Sequence, residues 1–278
     1  NNTNWKTSFN GAPFFKAKSG QAFTTAPYVA SNDAAGFGVV VNINSGRNLT
    51  TADQSSTNQE TVYTLWDNST FKDVPITPAT SPATYKLQIT DSTPINTTNT
   101  IPSSLVQQTI SATTFVDKGF TYFTSSSNPV DYKAATPKRG WYMDWAGVAG
   151  QRVLQNSKSF DGQKIQINST KPSSVVASTS DETCTPATSA ERSFLTVLNL
   201  FNGNPSQSPV FDLTPTVATS YPNTTTIEGN PAGDSIGIRT DNGIKFIPPC
   251  PEGTTCLPPT ELKFGKYVGA RANWREKQ

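Results

Sequence analysis

Ten short runs of β-branched and aromatic residues, each bounded by turn formers, restrict this chain to an all-β fold. They are Tyr28–Ala30, Phe37–Ile43, Thr61–Trp66, Thr113–Val116, Phe120–Phe123, Gly140–Trp145, Lys164–Asn168, Phe194–Phe201, Ile236–Arg239 and Ile244–Ile247. Most are shorter than a stable helix requires, and their residue types suit a pleated, half-buried surface. Asn10-Gly11, Asp161-Gly162, Asn202-Gly203 and Asp241-Asn242-Gly243 stand between them. Such pairs adopt positive φ cheaply, which lets a tight turn follow the twist of its strands. Ser235–Ile247, with Ile236 and Ile238 before the turn and Ile244 and Phe246 after it, is expected to form a hairpin.

Two segments weigh helix against strand. Ser189–Phe201 places Phe194, Leu198 and Phe201 at near-helical spacing behind Ala190 and Glu191, which favour a helix start. The stretch from Phe194 to Leu200 is nonetheless rich in strand formers and runs into Asn-Gly, so a buried strand is expected. Ser103–Ile110 is expected to hold a helical turn or two around Leu105-Val106-Gln107-Gln108. Three polar, proline-bearing stretches read as loops: Lys72–Ser104, Ser169–Ala190 and Pro205–Pro231. Loops that long in compact domains are usually functional or mobile. No internal repeat of about 40–50 residues is visible, so pattern alone leaves sandwich and propeller both open.

The chemistry available is narrowed by one absence: the chain contains 0 histidines. Imidazole is the side chain that ordinarily titrates near neutral pH, so the usual general base and proton shuttle are missing. Ser-His-Asp and Cys-His nucleophile systems and His-rich zinc sites go with it. A carboxylate pair could still hydrolyse a glycoside, but no Asp or Glu sits in a recognisable motif, and the chain is expected not to be an enzyme. Its 22 basic and 20 acidic residues give no field that would gather nucleic acid. Charged residues are only 15%, below the usual level of about 25%, and Ser, Thr, Asn and Gln take their place, as suits an exported protein. No run approaches the roughly 18 apolar residues of a membrane helix. The sequence opens on Asn1 without an apolar leader, so a signal peptide or upstream domain is expected to lie outside it.

Cys250 and Cys256 flank Pro-Glu-Gly-Thr-Thr, in a loop stiffened by Pro248, Pro249, Pro258 and Pro259. A local disulfide between them is expected in an oxidising compartment, because their spacing does not match zinc ligation. Cys184 is left over, either as a buried thiol or as a bridge to a part of the protein outside this sequence.

Several blocks, in order along the chain, resemble the C-terminal half of the propeller domain of the PilY family. Phe14-Phe15-Lys16-Ala17 with Gln21–Val29 is similar to the family's "LF.A … QPITAAPEV". Val39–Leu49, with Asp53 beyond, resembles "VLFGTGRYL…D", although its glycines are reduced to Gly46, with Asn42 and Asn44 in the run. Thr61–Asn68 resembles "TLYGIWDN", and Leu105–Ile110 matches "LVQQTI" throughout. Arg139–Asp144 with Gly150–Leu154 resembles "GWYLDL…GERVL". Cys184 with Ser193-Phe194-Leu195 resembles "DPC…SWLM", and Asn273–Glu276 resembles the terminal "SWRE".

The resemblance implies part of a modified β-propeller of four-stranded antiparallel blades, with residues 1–278 as the C-terminal portion of that domain. It implies a protein at the tip of type IV pili, on the bacterial surface. There it would promote pilus assembly, oppose retraction, support twitching motility and mediate attachment. Its partners would be minor and major pilins, a host-cell or surface receptor, and the missing N-terminal part of the same protein. The family's Asp-rich calcium loop precedes the first matching block, and nothing here has such oxygen-ligand spacing. No cofactor is therefore expected from this segment, and no residue inherits a calcium role. An envelope carbohydrate-active enzyme and a passive structural spacer are the alternative readings.

Among single residues, Trp66, Trp141, Tyr142 and Trp145 would make either an exposed aromatic platform or interblade packing, and burial rules favour packing. Arg47 with Asp53 is expected to be a structural ion pair, and Arg139 a solvated or stacking side chain. Lys72–Ser104 and Pro205–Pro231 would serve either as recognition loops on a rigid scaffold or as disordered decoration. Asn68-Ser69-Thr70 and Asn223-Thr224-Thr225 have the form of glycan acceptors, and in an Asn/Thr-rich bacterial chain they are read as coincidence.

Overall fold

A computed structural model describes residues 9, 11–75, 85–159, 162–172, 191–206, 210–228, 236–240, 243–247 and 260–262. Cys184, Cys250, Cys256 and residues 273–276 lie outside these, so the expected disulfide and the terminal block are not placed.

Ten strands form one continuous sheet with two blade-like halves. In the first half, β1 (Tyr28–Ser31), β2 (Val39–Asn44), β3 (Thr61–Asp67) and β8 (Gly140–Asp144) pair antiparallel in that order. In the second, β7 (Phe120–Ser125), β12 (Thr224–Glu228), β11 (Arg192–Asn199) and β10 (Lys164–Lys171) do the same, and the short β9 (Lys158–Ser159) edges β10. The halves are joined by the 12-residue β6 (Val106–Asp117). Its first residues run parallel to β8 from Val106 opposite Trp141, and its last run antiparallel to β7, with a bulge between Ile110 and Thr114. The expected four-stranded antiparallel blades are present, but one strand belongs to both. The bulge makes this geometrically feasible by adding local twist where β6 changes partner.

Ser103–Ile110 forms a turn and then the start of β6, which corrects the helical expectation for it. Alternation explains the outcome: Gln108 and Ile110 are buried, whereas Gln107 and Thr109 are exposed. Ser189–Phe201 contains the strand that was favoured. Because β11 is buried on both faces, its apolar run is continuous and shows no period of two.

The main core lies between the two halves. Val40, Val62, Trp66, Trp141 and Met143 from the first meet Phe123, Ile165, Ile167, Phe194 and Leu198 from the second. Each fully buried large apolar side chain contributes about 1.5–3 kcal/mol, so this interface dominates stability. Several polar groups bordering it are paired across the interface. The Trp141 indole N–H donates to the Leu200 carbonyl at 2.9 Å. Gln108, wholly buried, donates to the carbonyls of Asn128 and Asn202 at 2.7 and 2.8 Å and accepts from the Ser126 hydroxyl. It thereby ties β6 to the Asn202-Gly203 turn. Gly203 has φ +70 and lies against the Trp141 ring, where any Cβ would collide.

Both outer faces are closed by the chain itself. On the first half, Tyr63 and Leu65 pack with Ala17, Ile95 and Leu105, and with the partly buried Phe14 and Phe15. Lys18 fastens this cover, holding both Asp144 carboxylate oxygens at 2.6 and 2.7 Å. On the second half, Tyr122, Leu195, Val197 and Ile227 pack under Val210 and Phe211. The short α2 (Pro215–Ser220) lies next in the chain.

Two of the expected loops contain strands. Lys72–Ser104 begins inside β4 (Thr70–Pro75) and includes β5 (Tyr85–Asp91), which pair as a separate two-stranded hairpin. Pro205–Pro231 includes α2 and the interior strand β12, and Ser169–Ala190 opens inside β10. The tract Thr224-Thr225-Thr226 looks polar in sequence, yet all three residues are buried. The Thr196 and Thr226 hydroxyls satisfy each other at 2.8 Å across the sheet. The Ser235–Ile247 hairpin is present as β13 (Ile236–Thr240) and β14 (Gly243–Ile247), with Ile236 opposite Ile247, and β15 (Thr260–Leu262) adds a third strand.

Candidate interaction surface

The residues that carry chemistry in the sequence are mostly used to build the fold. Trp66, Trp141 and Trp145 are buried and Tyr142 is partly so, which is the packing reading and not a platform. Tyr63 donates its hydroxyl to Gln21 Oε1 at 2.6 Å, and burial pushes its phenol up to about 12. It stays protonated and serves as a hydrogen-bond anchor.

Arg47 and Asp53 do pair, at 2.8 Å, within a larger knot of charge. Asp53 sits in α1 (Thr51–Gln54) and closes a capping box with Thr50. Its second oxygen accepts from the backbone N–H groups of Leu49 and Thr50, at 3.0 and 2.9 Å. Burial pushes this carboxyl up, but Arg47 and the two amides outweigh it and hold the group at about 2. A depressed acid stabilises the folded state above its unfolded pKa of about 3.9. The cap is therefore expected to weaken as pH falls from about 4 toward 2. Amide exchange at Leu49 and Thr50, corrected for intrinsic rates, should speed up over that interval.

Arg152 is the hub of the same knot, and sequence reasoning did not single it out. Only 3% exposed, it donates to the carbonyls of Gly150, Arg47, Asp53 and Ser56. The segment bearing it passes so close to Gly46 that a Cβ there would strike the Val153 backbone. That close approach requires a glycine at position 46. Asn42 and Asn44 in the same run are buried hydrogen-bonding groups, Asn42 donating to the Tyr63 carbonyl and the Thr64 hydroxyl, Asn44 to the Ser157 hydroxyl.

Arg139, expected to be solvated or stacking, is half-buried with its guanidinium engaged in hydrogen bonds. It clamps the root of the β4–β5 hairpin, donating to the Trp66 carbonyl on one side and to the Thr93 hydroxyl and carbonyl on the other, at 3.0–3.2 Å. Burial lowers its pKa, and Asp67 and Asp91 at the two feet oppose that shift. Above this root the hairpin pairs with no other strand among the described residues. Phe71 lies directly opposite Ile89, and Tyr85, four residues before Ile89, is on the same face. All three are exposed, at 51, 40 and 58%. A firmly anchored ribbon with an uncovered aromatic and aliphatic face is the best candidate contact surface on the molecule.

Several acidic side chains are engaged by cations within the fold. Asp144 is held by Lys18, Glu228 by Arg192 and Asp212 by Lys118. Asp53 and Glu60 are buried beside Arg47 and Arg152. Among the described residues no group of three or more Cys, Asp or Glu side chains is placed to hold a metal. No helix among them is long and apolar enough to cross a membrane.

The architecture is that of a modified β-propeller: antiparallel blade-like sheets packed face to face around buried tryptophans. The solved C-terminal domain of Pseudomonas aeruginosa PilY1 has this fold, matching at a TM-score of 0.60 with 18% sequence identity. The match covers 92% of this chain and 48% of that one, so the chain spans about half the length of the solved domain. No protein-family profile and no curated protein matches the sequence.

Proposed function

We propose that this chain is the C-terminal portion of a type IV pilus-associated surface protein, acting as a pilus-tip adhesin and assembly factor without catalysis. The fold shared with the PilY1 C-terminal domain over 92% of the chain carries the reading. The ordered sequence blocks support it. The blocks "LVQQTI", "GWY.D" and "SGR…D" map onto Gln108, Trp141, Asp144, Arg47 and Asp53, which form the joints of the scaffold. In this reading those residues keep the propeller rigid, and the variable outer segments meet partners: pilins at the tip and a receptor on a host cell or surface. The protein would be exported, with this portion continuing a longer propeller domain. The exposed face of β4–β5 favours recognition over a passive spacer, because a spacer has no use for an uncovered apolar ribbon.

A strain lacking the protein should lose surface pili, attachment or both, and wild-type levels of both would contradict the proposal. Within the protein, Phe71→Ser and Ile89→Ser should change stability by less than about 0.5 kcal/mol each, since both side chains are exposed. Together they should reduce adherence while pili are still made. Unaltered adherence would move the recognition role away from this hairpin.

A further inference from the structure

Glu60 is a buried carboxylate that the scaffold only half satisfies. It immediately precedes β3, its residue is 8% exposed, and one oxygen, Oε2, is enclosed with no hydrogen-bond partner. The Ser45 hydroxyl at the end of β2 hydrogen-bonds the carboxylate. The charged groups around it are Arg152 from the β8–β9 connection, Arg47 after β2 and Asp53 in α1, the first two attracting its charge and the third repelling it. Arg152 nevertheless directs its donors to four backbone carbonyls, three of them in the 47–56 segment. Asp144, on the neighbouring rung of β8, is engaged by Lys18 and by the Thr61 hydroxyl.

We propose that Glu60 and Arg152 form an acid-tightened clamp on the 47–60 segment, loosest while the Glu60 carboxylate is charged. The ionised form leaves a buried oxygen unpaired next to the Asp53 charge, a costly arrangement. Protonation removes that charge. Arg152 keeps its four carbonyls and still has the Asp53 anion nearby, so the clamp loses no essential partner. Burial raises the Glu60 pKa above its ordinary value. A raised carboxyl binds its proton more tightly when folded, so stability increases as pH falls through the folded pKa and levels off below the unfolded one. Asp53, held at about 2, remains charged throughout this interval. Acidification through the folded Glu60 pKa would thus stiffen the 47–60 segment where Arg152 holds it.

The test is the thermal midpoint of the purified chain and of Glu60→Gln at pH 7 and at about pH 4, just below the ordinary Glu value of about 4.3. Wild type should gain stability on acidification relative to the variant. E60Q, which is permanently neutral and nearly isosteric, should be at least as stable as wild type at pH 7 and should gain less on acidification. An equal gain in both proteins, or an E60Q variant that is destabilised or unfolded at pH 7, overturns the proposal. Amide exchange at residues 50–56 gives a local readout. Corrected for intrinsic rates, protection there should rise over the same acidification in wild type and not in E60Q, and equal behaviour would count against the clamp.

Discussion

Trp141→Ala is expected to cost about 3–5 kcal/mol, the range for truncating a fully buried large aromatic. That is a large share of the roughly 5–15 kcal/mol by which domains are stable. Three losses combine at this position. The side chain has no exposed surface and sits where β8, β6 and the second half meet, so its removal opens a cavity in the main core. Its indole N–H leaves the Leu200 carbonyl without a partner. Gly203, whose turn is shaped to the ring, loses its support. Urea unfolding followed by far-UV circular dichroism measures the change. A loss below about 1 kcal/mol would mean that the halves do not pack through this residue.

Arg152→Ala should be of similar size, about 3–5 kcal/mol, the cost of removing one member of a buried ionic network. The substitution strands four carbonyls at once, those of Arg47, Gly150, Asp53 and Ser56, and removes a cation that attracts the Glu60 charge. Arg152→Lys should recover only part of the loss, because a single ammonium cannot span carbonyls that the planar guanidinium reaches in several directions. If lysine restores full stability, charge alone matters and the assignment of the carbonyl contacts is wrong. In either variant the 47–56 segment should become protease-sensitive before the rest of the sheet.

Most of the central strands were legible because local and tertiary demands agree there. Tyr28–Ser31, Val39–Asn44, Thr61–Asp67 and Gly140–Asp144 combine β-branched or aromatic residues with turn formers, and each lies where expected. The misses have physical causes. β12 is an interior strand made largely of threonine, whose hydroxyls satisfy one another across the sheet, so no hydropathy signal marks it. Among the described residues β4 and β5 pair only with each other, and the mixed polarity of such an exposed hairpin looks like a loop. The start of β6 follows a tight turn, and four residues around Leu105 cannot distinguish a helical turn from a strand entry.

The candidate surface was less legible than the scaffold. Arg139 was visible as a residue beside Gly140-Trp141, but its role depends on Thr93, which is 46 positions away and reaches it only through the hairpin. Arg152 lies in a block that resembles the family, yet its partners are main-chain carbonyls, which carry no side-chain signature. The Arg47–Asp53 pair was legible because a short separation and a helix start bring the two groups together locally.

The two blade-like halves, sealed outside by residues 14–17, 95–105 and 210–211, should behave as one body without a further chain to complete them. Thermal unfolding of the purified 278-residue chain, followed by near-UV circular dichroism, tests this most directly. Trp66, Trp141 and Trp145 are locked in the core, so the account predicts a strong native tryptophan signal that disappears in a single cooperative transition. A near-UV spectrum already flat at low temperature, with β-structure still visible in the far-UV, would contradict it.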